Sequence, residues 1–157
     1  MTPDYTPAKM VPGYADLHAM AQVLLAQHMG AGTVLILGAG GGYEMAHLAA
    51  ARPDWRFLAI DPSAEMLDLA RSKCTAFAER ITYIQGHIED APLEACDGAT
   101  CLLTLHFLPP AQRLATLQAL RARLKLGRRW WWRIIPSLRA RLISGCPVSP
   151  ISPWVTV

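Results

Sequence analysis

The sequence predicts an α/β protein built on a parallel sheet with helices on both faces. Three observations predict it. Short apolar runs alternate with segments of helical periodicity over residues 15–125. The first run, Thr33-Val34-Leu35-Ile36-Leu37, stops in four glycines within five residues, and a helical pattern from Tyr43 to Ala51 follows at once. The second run, Arg56 to Ile60, ends in Asp61, 19 residues after Gly42.

Each element has its own signal. Met1 to Gly13 carries three prolines and reads as an extended arm. Ala15 to Met29 places Leu17, Met20, Ala21, Leu24 and Leu25 at helical spacing, ended by Gly30 and Gly32. The run from Thr33 reads as a buried parallel strand. Its glycines admit positive φ and, lacking Cβ, let a ligand lie against the main chain. An ordinary strand-to-helix turn is the competing reading. The helix from Tyr43 must end before Pro53. Asp61 then stands at the tip of the second strand, where an acid in a dinucleotide fold accepts from ribose hydroxyls; a solvated strand cap is the alternative. Ser63 is a candidate N-cap for a helix whose apolar side is Met66, Leu67, Leu69, Ala70, Cys74 and Phe77. Ile81 to Gln85 is a third strand, ending at Gly86-His87. Ile88 to Cys96 is acidic, holds Pro92 and reads as a loop or short helix. Ala99 to Leu105 reads as the fourth strand, tipped by His106-Phe107. After Pro109-Pro110, Leu114, Leu117, Leu120 and Leu124 mark a helix to about Lys125.

The totals bound the class. A length of 157 residues makes one domain the default, and 52% hydrophobic against 17% charged residues suits a packed core. No secretory signal is visible at Met1 to Pro7, and the longest apolar run, Ala99 to Leu108, is too short to span a bilayer, so a cytoplasmic protein is expected. Cysteines 74, 96, 101 and 146 have neither C-x-x-C nor zinc spacing and read as buried or free thiols; no metal is expected.

The motif set resembles that of the class I S-adenosylmethionine-dependent methyltransferases. The resemblance rests on Val34-Leu35-Ile36-Leu37-Gly38-Ala39-Gly40-Gly41-Gly42, on Ala59-Ile60-Asp61-Pro62-Ser63-Ala64-Glu65-Met66-Leu67, and on Gln85-Gly86-His87-Ile88-Glu89-Asp90-Ala91-Pro92. It covers about residues 14–126 and implies a Rossmann-like fold with S-adenosyl-L-methionine as cofactor. It also implies roles. Gly38, Ala39, Gly40 and Gly42 would border the methionine moiety, and Asp61 would hold the ribose hydroxyls. Pro62 or Met66 would lie on the adenine face, with His87 and Ile88 at its edge. Leu105 and His106 would flank the sulfonium and the substrate. The family commonly has an acid two residues before the first glycine, where this chain has Ile36. It also commonly has Asp where this chain has His87. Methyl transfer needs mainly alignment and exclusion of water. His106 is the candidate catalytic residue, as a base toward a small-molecule acceptor.

The chain changes character after Leu126. Residues 1–97 hold 6 Lys+Arg and all 12 acids, whereas residues 98–157 hold 9 Lys+Arg and none. Arg128-Arg129-Trp130-Trp131-Trp132-Arg133 stands where the family has a Pro-Gly turn and a fifth strand. Tryptophan has the single codon TGG. Read from the last base of each codon, and with Arg133 a CGN codon, Trp130 to Arg133 gives Val-Val-Ala. With Arg128 and Arg129 read as CGC and Leu126-Gly127 giving Gly-Ala, the shifted text is Lys-Pro-Gly-Ala-Pro-Leu-Val-Val-Ala, provided one base was lost from a proline codon after Lys125. We therefore expect a methyltransferase domain over residues 1–126, with strands one to four present, and an out-of-frame tail over 127–157 in place of strands five to seven. Trp130 to Ile135 could pack on the exposed fourth strand as a makeshift strand.

Two other function classes share some of these features. An NAD(P)-dependent oxidoreductase would use the same loop and acid, but wants Gly or Ala where Tyr43 stands. A non-catalytic module would bind nucleic acid or a membrane surface through the basic, Trp-rich tail. The methyltransferase reading makes nucleic acid and membrane unexpected partners. Neither the acceptor nor the oligomeric state is legible.

Overall fold

The computed structural model describes residues 11–125. Four strands form one parallel sheet in the order β3-β2-β1-β4. They are β1 (Gly32–Leu37), β2 (Trp55–Asp61), β3 (Ile81–Gln85) and β4 (Gly98–Thr100). The helices are α1 (Tyr14–Ala26), α2 (Tyr43–Ala51), α3 (Ala64–Lys73) and α4 (Pro110–Ala122). β1 pairs along its whole length with β2, from Gly32 opposite Trp55 to Leu37 opposite Ile60. On its other side Val34, Leu35 and Ile36 face Gly98, Ala99 and Thr100. The arm before residue 11, the out-of-frame tail expected over 127–157 and the makeshift strand expected at Trp130 to Ile135 lie outside the described residues.

Alternation along the strands divides the core into two layers, as a sheet covered on both faces requires. Val34, Ile36, Phe57 and Ala59 face Leu25 of α1, Met45 and Leu48 of α2 and Leu67 and Ala70 of α3. Leu35, Leu37, Leu58 and Ile60 face Leu117 and Leu120 of α4 together with Ile88 and Leu124. Trp55 is fully buried, so its indole N–H must find an acceptor; it donates to Gly30 O at 2.6 Å and ties the loop before β1 to the start of β2. Arg123 is 8% exposed, yet its guanidinium serves carbonyls only, donating to Ala91, Ala119 and Glu89. It thereby staples the end of α4 to the 88–91 loop.

Several expectations hold to the residue. The helix from Tyr43 to Ala51 and the strand from Ile81 to Gln85 have the expected bounds. Ser63 caps α3, its Oγ accepting from Met66 N–H at 3.3 Å. Two expectations need correction. The fourth strand stops at Thr100 rather than Leu105. β1 ends at Leu37, so the chain beyond Cys101 has no ladder to join on that side. Leu103 turns left-handed at φ 52°, and Leu105–Phe107 form a 3-10 turn. In α1, which ends at Ala26 rather than the expected Met29, the expected stripe holds in part: Leu25 is buried and Leu17 and Ala21 are half-buried, but Met20 and Leu24 are exposed and His18 is buried instead. The helix packs on α2 through the side that carries Tyr14 and His18.

Gly42 decides the packing of α2 on α3. Its φ is 79°, and a Cβ there would sit 2.8 Å from Ala70 Cα. Gly42→Ala combines left-handed strain with a backbone clash and should destabilise the protein by at least about 2 kcal/mol, read as a shift of the urea midpoint at unchanged m.

Candidate functional site

The carboxyl ends of β1, β2 and β4 meet at one edge of the sheet, where α/β folds place their ligands. The glycine loop crosses this edge. Gly38 and Ala39 N–H both donate to Ile60 O, at 2.9 and 3.0 Å, so the loop starts by closing over β2. Gly38 has φ 78°, and a Cβ there would run into the Thr104 side chain. Thr104 Oγ1 in turn lies 3.2 Å from Leu37 O and 2.9 Å from Leu102 O, which fixes the segment after β4 against the loop. That close approach is a local reason for a glycine at 38, independent of any ligand.

Asp61 is 8% exposed and both its oxygens are used. Oδ2 accepts from Gly40 N–H at 2.8 Å, and Oδ1 accepts from Ser63 N–H at 2.9 Å. Its backbone carbonyl accepts from Gly86 N–H at 3.1 Å. One residue therefore joins the glycine loop, the start of α3 and the end of β3. Each carboxylate oxygen has a second lone pair, so a ligand hydroxyl could still be accepted.

Beside the loop lies a cleft of about 270 Å³. Its floor is Gly38, Ala39 and Gly41. One wall is Tyr14 and His18 of α1 with Tyr43 and Glu44 of α2; the other is Leu102, Leu103, Thr104, His106 and Phe107. His106 is exposed and stacks on Phe107 with ring centroids 4.0 Å apart. Leu105 instead packs partly against the α4 core layer. The remaining expected residues stand at the tips of β2 and β3. Pro62 and His87 are exposed, Met66 is half-buried, and Ile88 sends its side chain into the core, leaving its backbone for any contact. His87 N–H donates to Asp90 Oδ2 at 2.8 Å.

Two wall residues escaped the sequence reading. Glu44 is 7% exposed, and its Oε1 has no hydrogen-bond partner. Burial pushes its carboxyl up to about 7, with the facing Thr100 hydroxyl offsetting part of the effect. His18 is 5% exposed with neither ring nitrogen partnered, and meets Tyr14 edge-on at 4.4 Å. Burial, and to a lesser extent His47, holds His18 below the usual histidine range. Burial likewise pushes the nearby Cys101 thiol up to about 11, with Glu44 adding to it. The signal for Glu44 was present: it stands four residues before Leu48, on the apolar stripe of α2 rather than its solvent face. Among the described residues no group of His, Cys, Asp and Glu is arranged to hold a metal ion, and no helix is long and apolar enough to cross a membrane.

Sheet order, glycine loop and strand-tip acid define the class of α/β proteins that bind ligands at the carboxyl edge of a parallel sheet. Residues 34–127 match the profile of the methyltransferase domain, and the chain belongs to that family. Among curated proteins it is similar to a carboxy-S-adenosyl-L-methionine synthase of Campylobacter jejuni, 27% identical over 67% of this chain and 45% of that one. A synthase of the same name from Sodalis glossinidius is 31% identical over 76% of this chain and 50% of its own. The chain thus spans about half the length of the curated relatives it matches. In fold it is similar to the N-methyltransferase NodS of Bradyrhizobium japonicum in complex with S-adenosyl-L-homocysteine. The TM-score is 0.61 at 20% identity, over 72% of this chain and 57% of that one.

Two predictions follow from the buried carboxyls. Asp61→Asn turns one of two accepting oxygens into an N–H₂ that faces a backbone donor, and should cost about 1–3 kcal/mol in denaturant unfolding. Glu44→Gln should act in the opposite direction. Folded Glu44 holds its proton up to about pH 7, against 4.5 for a free side chain, so stability falls as pH rises through that window. The glutamine variant should be more stable than the parent by of order 3 kcal/mol at about pH 8 and nearly equal to it below about pH 5, read from unfolding curves without ligand.

Proposed function

We propose that this chain binds S-adenosyl-L-methionine and serves methyl transfer to a small-molecule acceptor. The observation that carries the reading is the Gly40–Asp61 bond. It builds the phosphate-free glycine turn and the hydroxyl-accepting acid into one rigid unit at the sheet edge, with the cleft opening beside it. Bound there, the sulfonium would supply an electrophilic methyl group.

The chain's own residues do the rest. Gly38, Ala39, Gly40 and Gly42 set a main-chain surface with no side chain in the way. Asp61 has lone pairs left for two ribose hydroxyls. Pro62, Met66, His87 and the Ile88 backbone stand where an adenine ring would lie. Leu102, Leu103, Phe107, Tyr14 and Tyr43 give the cleft its apolar and aromatic walls. His106 is the group in the wall that could take a proton from an acceptor hydroxyl or amine. Leu105 supports that turn from below rather than lining it.

The relatives' name points to a finer possibility, a donor bearing an additional carboxylate. The described cleft residues offer such a group no lysine or arginine, and Glu44 would repel it. Plain methyl transfer therefore fits these walls better. A nicotinamide cofactor fits less well again, since Tyr43 fills the position where that fold needs the smallest side chains. We further propose that residues 127–157 are read out of frame, on the strength of the Trp130–Trp132 run and the Arg128–Arg129–Arg133 cluster around it.

Calorimetric titration of the full chain with S-adenosylhomocysteine, carboxy-S-adenosylmethionine and NAD discriminates these readings. Saturable binding of the first, at least about tenfold tighter than the other two, is expected; preference for NAD would overturn the reading. For the tail, the nucleotide sequence after codon 125 should encode Pro-Gly-Ala-Pro-Leu-Val-Val-Ala in the shifted frame, and any other text there refutes the displacement.

A further inference from the structure

We propose that Glu44 is the counter-charge for the α-ammonium of the S-adenosyl amino acid, delivered to the glycine loop from α2 rather than from β1. The inference rests on the donor reading above and adds to it a residue and a proton.

The geometry is specific. Glu44 is the only acid among the described residues lining the cleft. Asp61 stands on the other side of the loop with its oxygens already on Gly40 and Ser63 N–H. β1 offers no acid to this face: Ile36 is apolar and fully buried. The register partner of Ile36 on β4 is Thr100, and the Thr100 hydroxyl faces the Glu44 carboxyl. Glu44 therefore puts its carboxyl above the β1–β4 tips, beside the position from which a residue-36 side chain would have served. Its Oε1 is buried and unpartnered, and the carboxyl lines the cleft floored by Gly38, Ala39 and Gly41.

Among the described residues no cation is paired with it; Lys73 of α3 is engaged over the neighbouring Tyr43 ring, 3.7 Å from its centroid. The groups around Glu44 are Tyr14 and His18 from α1, Tyr43 and His47 on α2, Cys101 after β4, and His106 across the cleft. Burial, and to a lesser extent His47, lowers the His18 pKa and so disfavours its charged form. Cys101 is a thiol in the same range of pH. A lone buried carboxylate is costly, and protonation is how a protein ordinarily avoids one. A ligand ammonium placed against Oε1 reverses that preference, so binding must expel the Glu44 proton wherever the free protein still holds it.

The test is titration calorimetry of the full chain with S-adenosylhomocysteine and with its analogue lacking the α-amino group. It is run at about pH 6 and about pH 8 in buffers of differing ionisation enthalpy, for the parent, Glu44→Gln and Glu44→Asp. The parent should release close to one proton at the lower pH and bind about tenfold more tightly at the higher, one unit above the carboxyl midpoint. Glu44→Gln should release none, lose at least about tenfold in affinity at the higher pH, and no longer discriminate between the two ligands. Glu44→Asp should recover part of both signals. Unfolding curves confirm that the variants are folded. Equal affinity and proton release in parent and Glu44→Gln would overturn the proposal while leaving the donor reading intact. No binding by the parent at either pH would overturn both.

Discussion

The site depends on one carboxylate. Asp61 accepts from Gly40 and Ser63 N–H, and its carbonyl accepts from Gly86 N–H. Hydrogen bonds to an ionised acceptor are roughly twice as strong as neutral ones. Two connections that diverge in sequence, after β1 and β2, are thus held by one carboxylate at the sheet edge, and the connection after β3 is held by the backbone carbonyl of the same residue. Without it the glycine loop would keep only its bonds to Ile60 O and its own turn. The loop is permissive by composition; Asp61 makes it singular. A binding surface of bare main chain is useful only if it is held in one conformation, and this is what the strand-tip acid provides.

The opposite wall of the cleft works against stability rather than for it. Glu44 Oε1 and both ring nitrogens of His18 are buried without hydrogen-bond partners, and both groups are driven toward their neutral forms. The two effects have opposite pH dependence. Glu44 weakens the fold as pH rises toward 7. His18 weakens it as pH falls below the ordinary histidine range. Neither group serves the core layers, which close around Ile36, Met45 and Leu48 without them. Polar groups that the fold itself does not need, collected on one face of a cleft, mark the place where a ligand completes the hydrogen bonding.

Much of the fold was legible because local and global signals agree. Ile81 to Gln85 is rich in β-branched residues with one aromatic and is followed by a glycine, and it is a strand over that span. Tyr43 to Ala51 is bounded by Gly42 and by the proline that follows. The fourth strand was overread because Cys101 to Leu105 is as apolar as a strand. Apolar composition records burial, and Cys101 and Leu105 are partly buried against the α4 layer without a ladder. Only the end of β1 at Leu37, a tertiary fact, decides where β4 can pair. The α1 stripe was misread for a related reason: leucines and methionines marked a face, but the cleft draws Tyr14 and His18 inward. At the site, glycines and Asp61 were visible through spacing. Glu44 was hidden because an acid in the first turn of a helix is what the helix dipole alone would favour.

That last coincidence can be weighed. The N-terminus of α2 stabilises an anion by about 0.3–1 kcal/mol at an exposed position and up to about 2 kcal/mol when partly buried. Moving the carboxyl from 4.5 to about 7 corresponds to of order 3 kcal/mol in the other direction. Burial therefore outweighs the dipole, and in the free protein the acid is half protonated near neutrality. A glutamine would keep the shape, retain a donor and acceptor, and escape the penalty. The dipole does not explain the acid, nor does packing, since Oε1 touches no partner. What remains is a charge held ready on a cleft wall, whose cost is offset only when a cation enters.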